Sequence, residues 1–303
     1  MDSILNINKP RGKTSFSIVA LVKRLSGERR VGHGGTLDPE ACGVLPVCLG
    51  QGTRIIEFLL DLSKVYRAEI KLGVATDTYD AAGKVTQQRD PSRISRGQLE
   101  SALTSFRGFI KQTPPMYSAL RYHGQRLYEL ARDGVTVRRE SRLAKIYSLK
   151  LIDFNSPLVT VEVECGRGTY IRSLAHDLGE ILGCGAHLKT LVRLRYGPFD
   201  IADAVSLPQL EDAFGHNSWQ HLVYPMDTVL SHWVAVVVNK EQERVVRNGG
   251  PLLLGDGSDG ASVEGRCRAY SRDGHFLAVL RFNSESGQWQ PEKVFAQQAI
   301  VNQ

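Results

Sequence analysis

The residues best suited to chemistry in this chain lie in one short segment, GHGGTLDPEACGVLP, at positions 32–46. Three glycines surround His33, which allows unusual backbone dihedrals or the close approach of a ligand. Asp38 follows, and the ring of Pro39 restricts the backbone next to its carboxylate. A carboxylate displayed from a constrained loop can act as a nucleophile or a base. Asp-Pro after glycines is also common in plain turns, so the local pattern leaves both interpretations open.

A second segment of interest is the basic turn that contains Lys9, Arg11 and Lys13. The tripeptide GKT within it invites comparison with a phosphate-binding loop, but such a loop needs a glycine five residues before its Gly-Lys pair. Ile7 occupies that position, which excludes this kind of nucleotide site. Three cations in one turn can instead contact an RNA backbone phosphate or simply face solvent.

A third segment, residues 112–142, interleaves basic and aromatic side chains. It contains Arg121, Arg126, Arg138, Arg139 and Arg142 together with Tyr117, Tyr122 and Tyr128. Cations neutralise phosphates and aromatic rings stack on bases, so this mixture suits a surface that contacts RNA. A solvated charged helix is the alternative interpretation.

The hydrophobic pattern predicts the elements that must position these segments. Apolar runs predict strands at 4–8, 44–50, 66–73, 142–154 and 159–165, and helical spacing predicts helices from residue 15, over 54–61 and over 96–106. A further helix is predicted after residue 168, with Thr169 as its N-cap. Strands and helices mixed in this way indicate an α/β class.

The length of the chain and a cluster of turn-forming residues indicate two parts. A chain of 303 residues exceeds what one hydrophobic core usually organises. Prolines and a Gly-His-Asn turn mark 200–230 as a connection, and short apolar runs after it predict a small barrel-like β-domain. We therefore predict a catalytic domain over 1–225 and a β-domain over 226–303.

The charge is distributed unevenly between these parts. Residues 1–200 contain 30 Lys and Arg against 20 Asp and Glu, a net charge of +10, whereas the remainder contains 8 against 12, a net charge of −4. An excess of positive charge favours a polyanionic partner such as nucleic acid. Any such partner is expected to bind mainly to the first two-thirds of the chain.

Several other classes of protein are disfavoured. The five cysteines are odd in number and form no CxxC pair, which argues against a disulfide framework and a structural zinc site, and no metal is expected. No run approaches the roughly 20 apolar residues of a membrane span. The N-terminus lacks the apolar core of a signal peptide, so a cytoplasmic location is expected.

The segment at 32–46 resembles the catalytic motif of the TruB family of tRNA pseudouridine synthases, in which the Asp is the nucleophile. Three further segments resemble motifs of the same family in the same order. They are NKPRGKTS, KVYRAEIKLGVATDTYDAAGKV and GTYIRSLAHDLGEILGCGAHLKTLVRLRYGPF. Together they cover most of residues 4–200. Cys42 stands where the family usually has Thr, outside the chemistry that the motif implies.

The resemblance implies a pseudouridine-synthase fold, with a central mixed, largely antiparallel sheet and a small C-terminal PUA-like β-domain. It implies conversion of uridine 55 in the TΨC stem-loop of tRNA to pseudouridine by a monomeric enzyme. Within that family, residues 112–142 correspond to a flap that closes over the RNA and is expected to be mobile without substrate. We call this range the flap.

The resemblance also implies roles for individual residues. Asp38 is expected to be the nucleophile and Arg172 the cation that offsets the cost of burying it. Tyr66 is expected to stack on the flipped-out base and to serve proton removal from C5, and the base pocket is completed by Tyr170 and Leu191. His33 is expected to contact the RNA loop around the extruded base.

The chemistry itself needs no cofactor, because isomerisation breaks the N1–C1′ bond and joins C5 to C1′ without external electrons or phosphate. One carboxylate can attack C1′ of the ribose, attack C6 of the base or assist loss of the 2′ proton. Two other functions remain possible for the same residues. One is a non-catalytic tRNA-binding or RNA-folding protein, and the other is a base-flipping hydrolase such as a glycosylase.

Overall fold

The computed structural model describes residues 1–118, 120–254 and 265–296. Its strands are β1 (Ser3–Lys9), β2 (Val31–His33), β3 (Cys42–Leu49), β4 (Lys64–Leu72), β5 (Val74–Thr76), β6 (Val85–Gln88), β7 (Gly108–Gln112), β8 (Arg121–Tyr122), β9 (Gln125–Arg126), β10 (Arg142–Asn155), β11 (Leu158–Cys165), β12 (Ala186–Tyr196), β13 (Phe199–Asp200), β14 (Val223–Pro225), β15 (Val234–Val237), β16 (Arg266–Tyr270), β17 (Phe276–Asn283) and β18 (Gln288–Val294).

The α-helices are α1 (Ser15–Ser26), α2 (Ile56–Asp61), α3 (Arg96–Thr104), α4 (Leu127–Arg132), α5 (Ile171–Ile181), α6 (Leu207–Gly215) and α7 (Lys240–Arg247). Turns of 3-10 helix lie at Gly50–Ile55, Ile201–Asp203, Trp219–Leu222 and Met226–Leu230.

One large sheet organises most of the chain, with the strand order β14-β1-β3-β12-β4-β11-β10-β7. The short strands β13 and β2 extend it beside β12 and β3. Among the described residues, neighbouring strands of this large sheet run antiparallel, except that β3 and β12 run parallel. The predicted mixed class and largely antiparallel sheet are therefore confirmed.

The parallel pair lies at the centre of the sheet and requires glycine at one position. Gly43 pairs with Arg193 across the β3–β12 junction and has φ 102°. A Cβ placed on Gly43 would lie 2.3 Å from the carbonyl oxygen of Arg193. Only glycine combines this left-handed backbone with such a close approach of two chains. The glycine of the motif thus lets the catalytic segment join the centre of the sheet.

Two helices cover one face of the sheet half that contains β4, β11 and β10. Helices α3 and α5 bury apolar side chains against this face, including Leu99 and Leu174, both fully buried. The strands alternate buried and exposed residues, which matches a sheet packed on one side. The first residue of α5 is Ile171, and its preceding residue, Tyr170, makes no side-chain cap.

The prediction that Thr169 caps this helix is wrong. Its hydroxyl donates instead to the carbonyl oxygen of Gly166 at 3.1 Å, within the turn that precedes the helix. The free N–H groups at this helix start are partly satisfied from a distant strand, because Gln112 accepts from the Tyr170 N–H at 3.0 Å. A long-range side chain has replaced the local cap that the sequence favoured.

A second, four-stranded sheet with the order β15-β16-β17-β18 follows the large one. Its side chains share a buried apolar cluster with the large sheet, in which Phe58 meets Trp233 edge to face at 5.1 Å between ring centroids. The last strand of the large sheet, β14, pairs with β1 and ends at Pro225. The predicted small C-terminal β-unit is present, and it packs directly on the larger part.

Candidate active site

The basic turn between β1 and α1 holds the loop that carries Asp38. Ser15 is buried, and its hydroxyl donates to the Leu37 carbonyl at 3.0 Å while accepting from the Leu37 N–H at 2.9 Å. The N–H of Gly12 donates to the Pro39 carbonyl at 2.8 Å. These bonds fix the loop on both sides of Asp38. A motif far away in sequence therefore sets the position of the carboxylate.

Lys9 belongs to this clamp and not to an RNA-binding surface. Its side chain is completely buried, and its ammonium group donates to the carbonyl oxygens of Pro10, Lys13 and Pro39 at 3.0, 2.6 and 3.2 Å. Burial lowers the pKa of Lys9 to about 8. This arrangement does not favour the predicted contact between Lys9 and an RNA phosphate, because the side chain is buried.

The other two cations of the turn are exposed. Arg11 forms an ion pair with Glu40 at 2.9 Å, and both side chains are more than half exposed. Lys13 is also exposed. Pairs of this kind exchange readily with solvent and contribute little to stability. Both cations therefore remain available to a polyanion.

Asp38 and Arg172 meet in a side-on ion pair. Nε of Arg172 lies 2.9 Å from Oδ2 of Asp38, and Nη2 lies 3.2 Å from Oδ1. Two parallel hydrogen bonds match the planar guanidinium to the planar carboxylate. Arg172 is 7 % exposed, whereas the Asp38 side chain is 41 % exposed. The cation is therefore anchored in the protein and the carboxylate faces the pocket.

Two opposing effects act on the ionisation of Asp38. Removal of solvent by the surrounding loop and helix raises the pKa of its carboxyl group, and Asp80 adds to the rise. Arg172 and Lys9 oppose it. An ionised Asp38 depends on Arg172 more than an exposed aspartate would.

Arg172 is itself fixed by several oxygens besides Asp38. Nη1 faces Oδ2 of Asp80 at 3.5 Å and the Thr78 carbonyl at 3.4 Å. Nη2 donates to the Tyr117 carbonyl at 2.8 Å. The helix α5, the β5–β6 loop and the start of the flap therefore all contact one guanidinium. Asp80 was not predicted as a site residue, although it lies within the TDTYD segment.

A cavity of about 260 Å³ opens over this pair. Tyr66, Tyr170 and Leu191, all predicted pocket residues, line it together with Asp38 and Arg172. Tyr66 and Leu191 come from β4 and β12, which are adjacent in the sheet, and Tyr170 directly precedes α5. Burial raises the pKa values of the Tyr66 and Tyr170 hydroxyls, so both rings are neutral at neutral pH.

His33 does not line this cavity. It ends strand β2, where it pairs with Val47, and its side chain is half-buried. Nδ1 is buried without a hydrogen-bond partner among the described residues. Burial lowers the pKa of His33, and the nearby Arg193 lowers it further. The ring is therefore neutral at neutral pH and suited to stacking rather than to a charge contact.

Sequence reasoning missed Arg193, which also lines the cavity. It is 1 % exposed, and its guanidinium donates to the carbonyls of Val44 at 2.6 Å and Gly35 at 3.2 Å. Nη1 donates to the Tyr66 hydroxyl at 3.4 Å. No carboxylate in the described ranges pairs with it. Nothing in the local sequence distinguishes Arg193 from the exposed Arg195, because burial is decided by the sheet.

The flap begins as part of the site and continues as an exposed hairpin. Ser118 lines the cavity, and the Thr113 carbonyl accepts from the Ser173 hydroxyl of α5 at 2.8 Å. Beyond them, β8 and β9 pair, and the guanidinium of Arg126 lies over the Tyr128 ring at 5.8 Å. Arg121, Arg126 and Arg138 are exposed.

Arg139 differs from these three arginines. It is half-buried, and Nη1 donates to the Pro114 carbonyl at 3.1 Å. It therefore ties the end of the flap to its beginning. Its predicted contact with RNA would have to compete with this bond.

Among residues 1–118, 120–254 and 265–296, no three His, Cys, Asp or Glu side chains cluster in a way that could hold a metal ion. In the same ranges, no helix has both the length and the apolar character needed to cross a bilayer.

Comparison with protein families identifies two consecutive matches. Residues 23–171 match the family described as TruB family pseudouridylate synthase, N-terminal domain, and residues 172–231 match the tRNA pseudouridylate synthase B C-terminal domain. The boundary falls between Ile171 and Arg172. The cavity therefore takes residues from both matched regions.

Curated proteins of similar sequence agree with these matches. A tRNA pseudouridine synthase B of Dehalococcoides mccartyi is 44% identical over 299 residues, covering 99% of this chain and 98% of the relative. One from Symbiobacterium thermophilum is 51% identical over 213 residues, covering 69% and 71%.

Solved structures extend the likeness to the fold. A chain from a Cbf5-Nop10-Gar1 complex aligns with a TM-score of 0.75 and 27% identity, covering 97% of this chain and 85% of its own. A chain from an H/ACA RNP bound to a substrate RNA containing 2′-deoxyuridine aligns with a TM-score of 0.73 and 25% identity. With the sequence relatives, these findings show that the chain belongs to the TruB family of pseudouridylate synthases.

Proposed function

We propose that this protein converts uridine 55 in the TΨC stem-loop of tRNA to pseudouridine, with Asp38 as the nucleophile. The observation that carries this proposal is the side-on pair of Asp38 and Arg172 at the base of a cavity. The guanidinium keeps the carboxylate ionised and oriented while its open face meets whatever enters the cavity. The tRNA substrate is supported by the names of the sequence relatives.

The reaction balances without a co-reactant. The N1–C1′ bond breaks, the uracil turns, C5 bonds to C1′, and the proton on C5 is removed while N1 gains one. Asp38 can take part as a nucleophile at C1′ or C6, or by assisting removal of the 2′ proton. A uridine that fills the cavity displaces water from around Asp38, which protects the separated base and ribose from hydrolysis.

The position of Tyr66 in the cavity lining, together with Asp38, supports a role in the later proton transfer. Burial raises the pKa of its hydroxyl, but the hydrogen bond from Arg193 opposes that rise. The resting hydroxyl is neutral, so the base is the minor phenolate form, whose charge Arg193 offsets. We propose that Tyr66 stacks on the base and accepts the C5 proton with Arg193 beside it.

Tyr66→Phe is expected to slow pseudouridine formation by about 10²–10⁴-fold, the usual contribution of a positioned general base. Stacking should survive, since the ring is retained, so tRNA affinity should stay within about twofold. Single-turnover rates and filter binding measure the two effects separately. A rate within a few fold of wild type would limit Tyr66 to stacking.

The function is tested by incubating the protein with an unmodified tRNA transcript and mapping pseudouridine by carbodiimide labelling and primer extension. The proposal predicts one stop at position 55, absent when that uridine is replaced by cytidine. Free uracil with an abasic site would instead show a glycosylase. Binding of the transcript without any modification would show a non-catalytic RNA-binding protein.

The flap is proposed to contact RNA phosphates through its exposed arginines. Arg138→Ala is expected to weaken tRNA binding and to reduce the slope of log Kd against log salt by about one, because one phosphate contact is lost. Arg139→Ala should act differently, since it releases the bond to Pro114. Its expected result is slower catalysis with a nearly unchanged slope.

The matched control for the flap is Arg96→Ala. Arg96 is an exposed arginine on α3, paired with Glu100 at 2.9 Å. Its removal changes the net charge by the same amount, so any general electrostatic effect appears in both variants. Equal slopes for Arg138→Ala, Arg96→Ala and wild type would place the phosphate contacts elsewhere.

We further propose that residues 1–225 form the catalytic domain and residues 226–303 a PUA-like domain that assists RNA binding. The exposed pair of Arg11 and Lys13 lies beside the catalytic loop and is proposed to contact the tRNA backbone. His33, with its neutral ring, is proposed to stack in the RNA loop where the base has left. The protein is proposed to act as a monomer without a cofactor.

A further inference from the structure

One element of the site is under backbone strain. Tyr79 lies in the β5–β6 loop, residues 77–84, and has φ 64°. A residue with a Cβ is disfavoured in this left-handed region. The surrounding chain must therefore hold it there. Its N–H donates to the Thr76 carbonyl at 3.3 Å, and its own carbonyl accepts from the Leu188 N–H at 2.9 Å.

The residues on either side of Tyr79 both face the guanidinium of Arg172. The Thr78 carbonyl and the Asp80 carboxylate lie 3.4 and 3.5 Å from Nη1. The other oxygen of Asp80 accepts from the Thr78 hydroxyl at 2.6 Å and from the Ala82 N–H at 3.1 Å. The strained conformation of one residue thus places both of its neighbours on the cation that orients Asp38.

The ring of Tyr79 provides a second contact with the same helix. It stacks on His176 with centroids 3.9 Å apart and an angle of 11° between the rings. His176 follows Arg172 by four residues on α5, so the two side chains share one face of the helix. The loop therefore contacts α5 at two points separated by one turn, a polar one at Arg172 and an aromatic one at His176.

The hydrogen bonding of Nδ1 does not account for the position of the His176 ring against Tyr79. Nδ1 is buried and has no hydrogen-bond partner in the described ranges. Burial lowers the pKa of His176, which keeps the ring neutral at neutral pH, although Glu180 opposes this shift. What the ring offers Tyr79 is a flat apolar face.

We propose that the Tyr79–His176 stack is a positioning contact that holds the β5–β6 loop on α5, so that Thr78 and Asp80 orient Arg172 toward Asp38. This inference rests on the proposed function of the site. Neither ring lines the cavity over Asp38, so neither is proposed to touch substrate or the reacting atoms. The contact acts through Arg172, and its loss lets the guanidinium rotate away from the side-on geometry.

The test uses full-length protein carrying His176→Ala or His176→Phe, and kcat is measured under multiple turnover with an unmodified tRNA transcript. His176→Ala is expected to lower kcat by about 10–100-fold, because small misplacements of oriented groups are costly. The affinity for tRNA should change by no more than about twofold, since the stack lies behind the cation and not in the cavity. His176→Phe keeps the flat ring and should recover most of kcat.

Substitutions of Tyr79 provide a second, independent test of the same contact. Tyr79→Gly removes the ring but also relieves the strained φ. If Tyr79 only had a structural role, this variant should leave kcat unchanged or raise it. The proposal predicts a loss of kcat similar to that of His176→Ala, and no further loss in the double variant. If His176→Ala does not fold, the comparison of Tyr79→Gly with Tyr79→Phe still tests the positioning role. The proposal predicts that kcat falls in Tyr79→Gly, which lacks the ring, and not in Tyr79→Phe, which keeps it.

Controls separate the possible failures. Phe214 of α6 and Trp219 of the following 3-10 turn also stack, with ring centroids 5.7 Å apart and an angle of 10° between the rings. Trp219→Ala removes this stack and should leave kcat unchanged. Wild-type kcat in His176→Ala would overturn the inference, as would equal losses in His176→Ala and His176→Phe. Absence of pseudouridine with the wild-type protein would instead overturn the proposed function.

Discussion

Asp38→Asn is expected to lower pseudouridine formation by at least about 10⁴-fold, in line with removal of a nucleophile from other enzymes. The amide has nearly the same shape, so the loop and cavity should be retained, but it carries no charge and is a poor nucleophile. Affinity for tRNA should remain within about twofold, because the phosphate contacts lie elsewhere. Single-turnover carbodiimide mapping and filter binding measure the two quantities.

Asp90→Asn is the matched control for this variant. Asp90 is exposed and accepts hydrogen bonds from the N–H and hydroxyl of Ser92 in a loop away from the cavity. Its replacement should leave the rate unchanged. Residual turnover above about 1 % in Asp38→Asn would remove the carboxylate from the role of nucleophile.

The second large effect is expected from Arg172→Lys, with a rate lower by roughly 10²–10³-fold, since each lost hydrogen bond to a charged group costs about 1.5–3 kcal/mol. An ammonium group is a point charge and cannot make the two parallel bonds that Arg172 makes with Asp38. It also leaves Asp80 and the Thr78 and Tyr117 carbonyls without the partner that they share. The variant should therefore fold less stably and catalyse slowly.

The pH dependence of the rate in Arg172→Met tests directly whether Arg172 sets the ionisation of Asp38. The pKa of Asp38 lies above its usual value of 3.8, and Arg172 and Lys9 limit that rise against burial and Asp80. Activity needs the ionised carboxylate, so it falls as pH falls through this raised pKa. Removing the guanidinium raises the pKa further, and the acid limb of the profile should move to higher pH.

Arg96→Lys is the control, because Arg96 also binds a carboxylate, that of Glu100, but on an exposed helix surface. It should leave both the rate and the pH profile unchanged. A near-normal rate in Arg172→Lys would show that charge alone suffices. An acid limb at the wild-type pH in Arg172→Met would show that Arg172 does not set the ionisation of Asp38.

The elements of the large sheet were largely predictable from local patterns. Alternation over 142–154 and 159–165 corresponds to β10 (Arg142–Asn155) and β11 (Leu158–Cys165), because strands buried on one face must alternate. Capping was less predictable. Thr169 has the right chemistry for a cap, yet Gln112 from the edge strand takes its place, and no local signal reports a partner 58 residues away in the chain.

The site shows the same division. Resemblance of motifs predicts Asp38, Arg172 and Tyr66 as site residues, and all three line one cavity. It did not reveal that Arg193 is buried beside Tyr66 or that Lys9 is enclosed by carbonyl oxygens. Both are basic residues whose type predicts exposure, and only the packing of strands around them satisfies a buried cation.

The chemical groups of this protein, its mixed fold class and the order of its motifs follow from residue type and local periodicity. Which of these groups meet depends on how the chain packs. This packing brings Asp38 onto Arg172 across 134 residues of chain, and converts the basic turn at Lys9 into a clamp for the catalytic loop. Such contacts depend on the parallel pairing of β3 and β12 and on the docking of α5, which are long-range events that no short segment specifies.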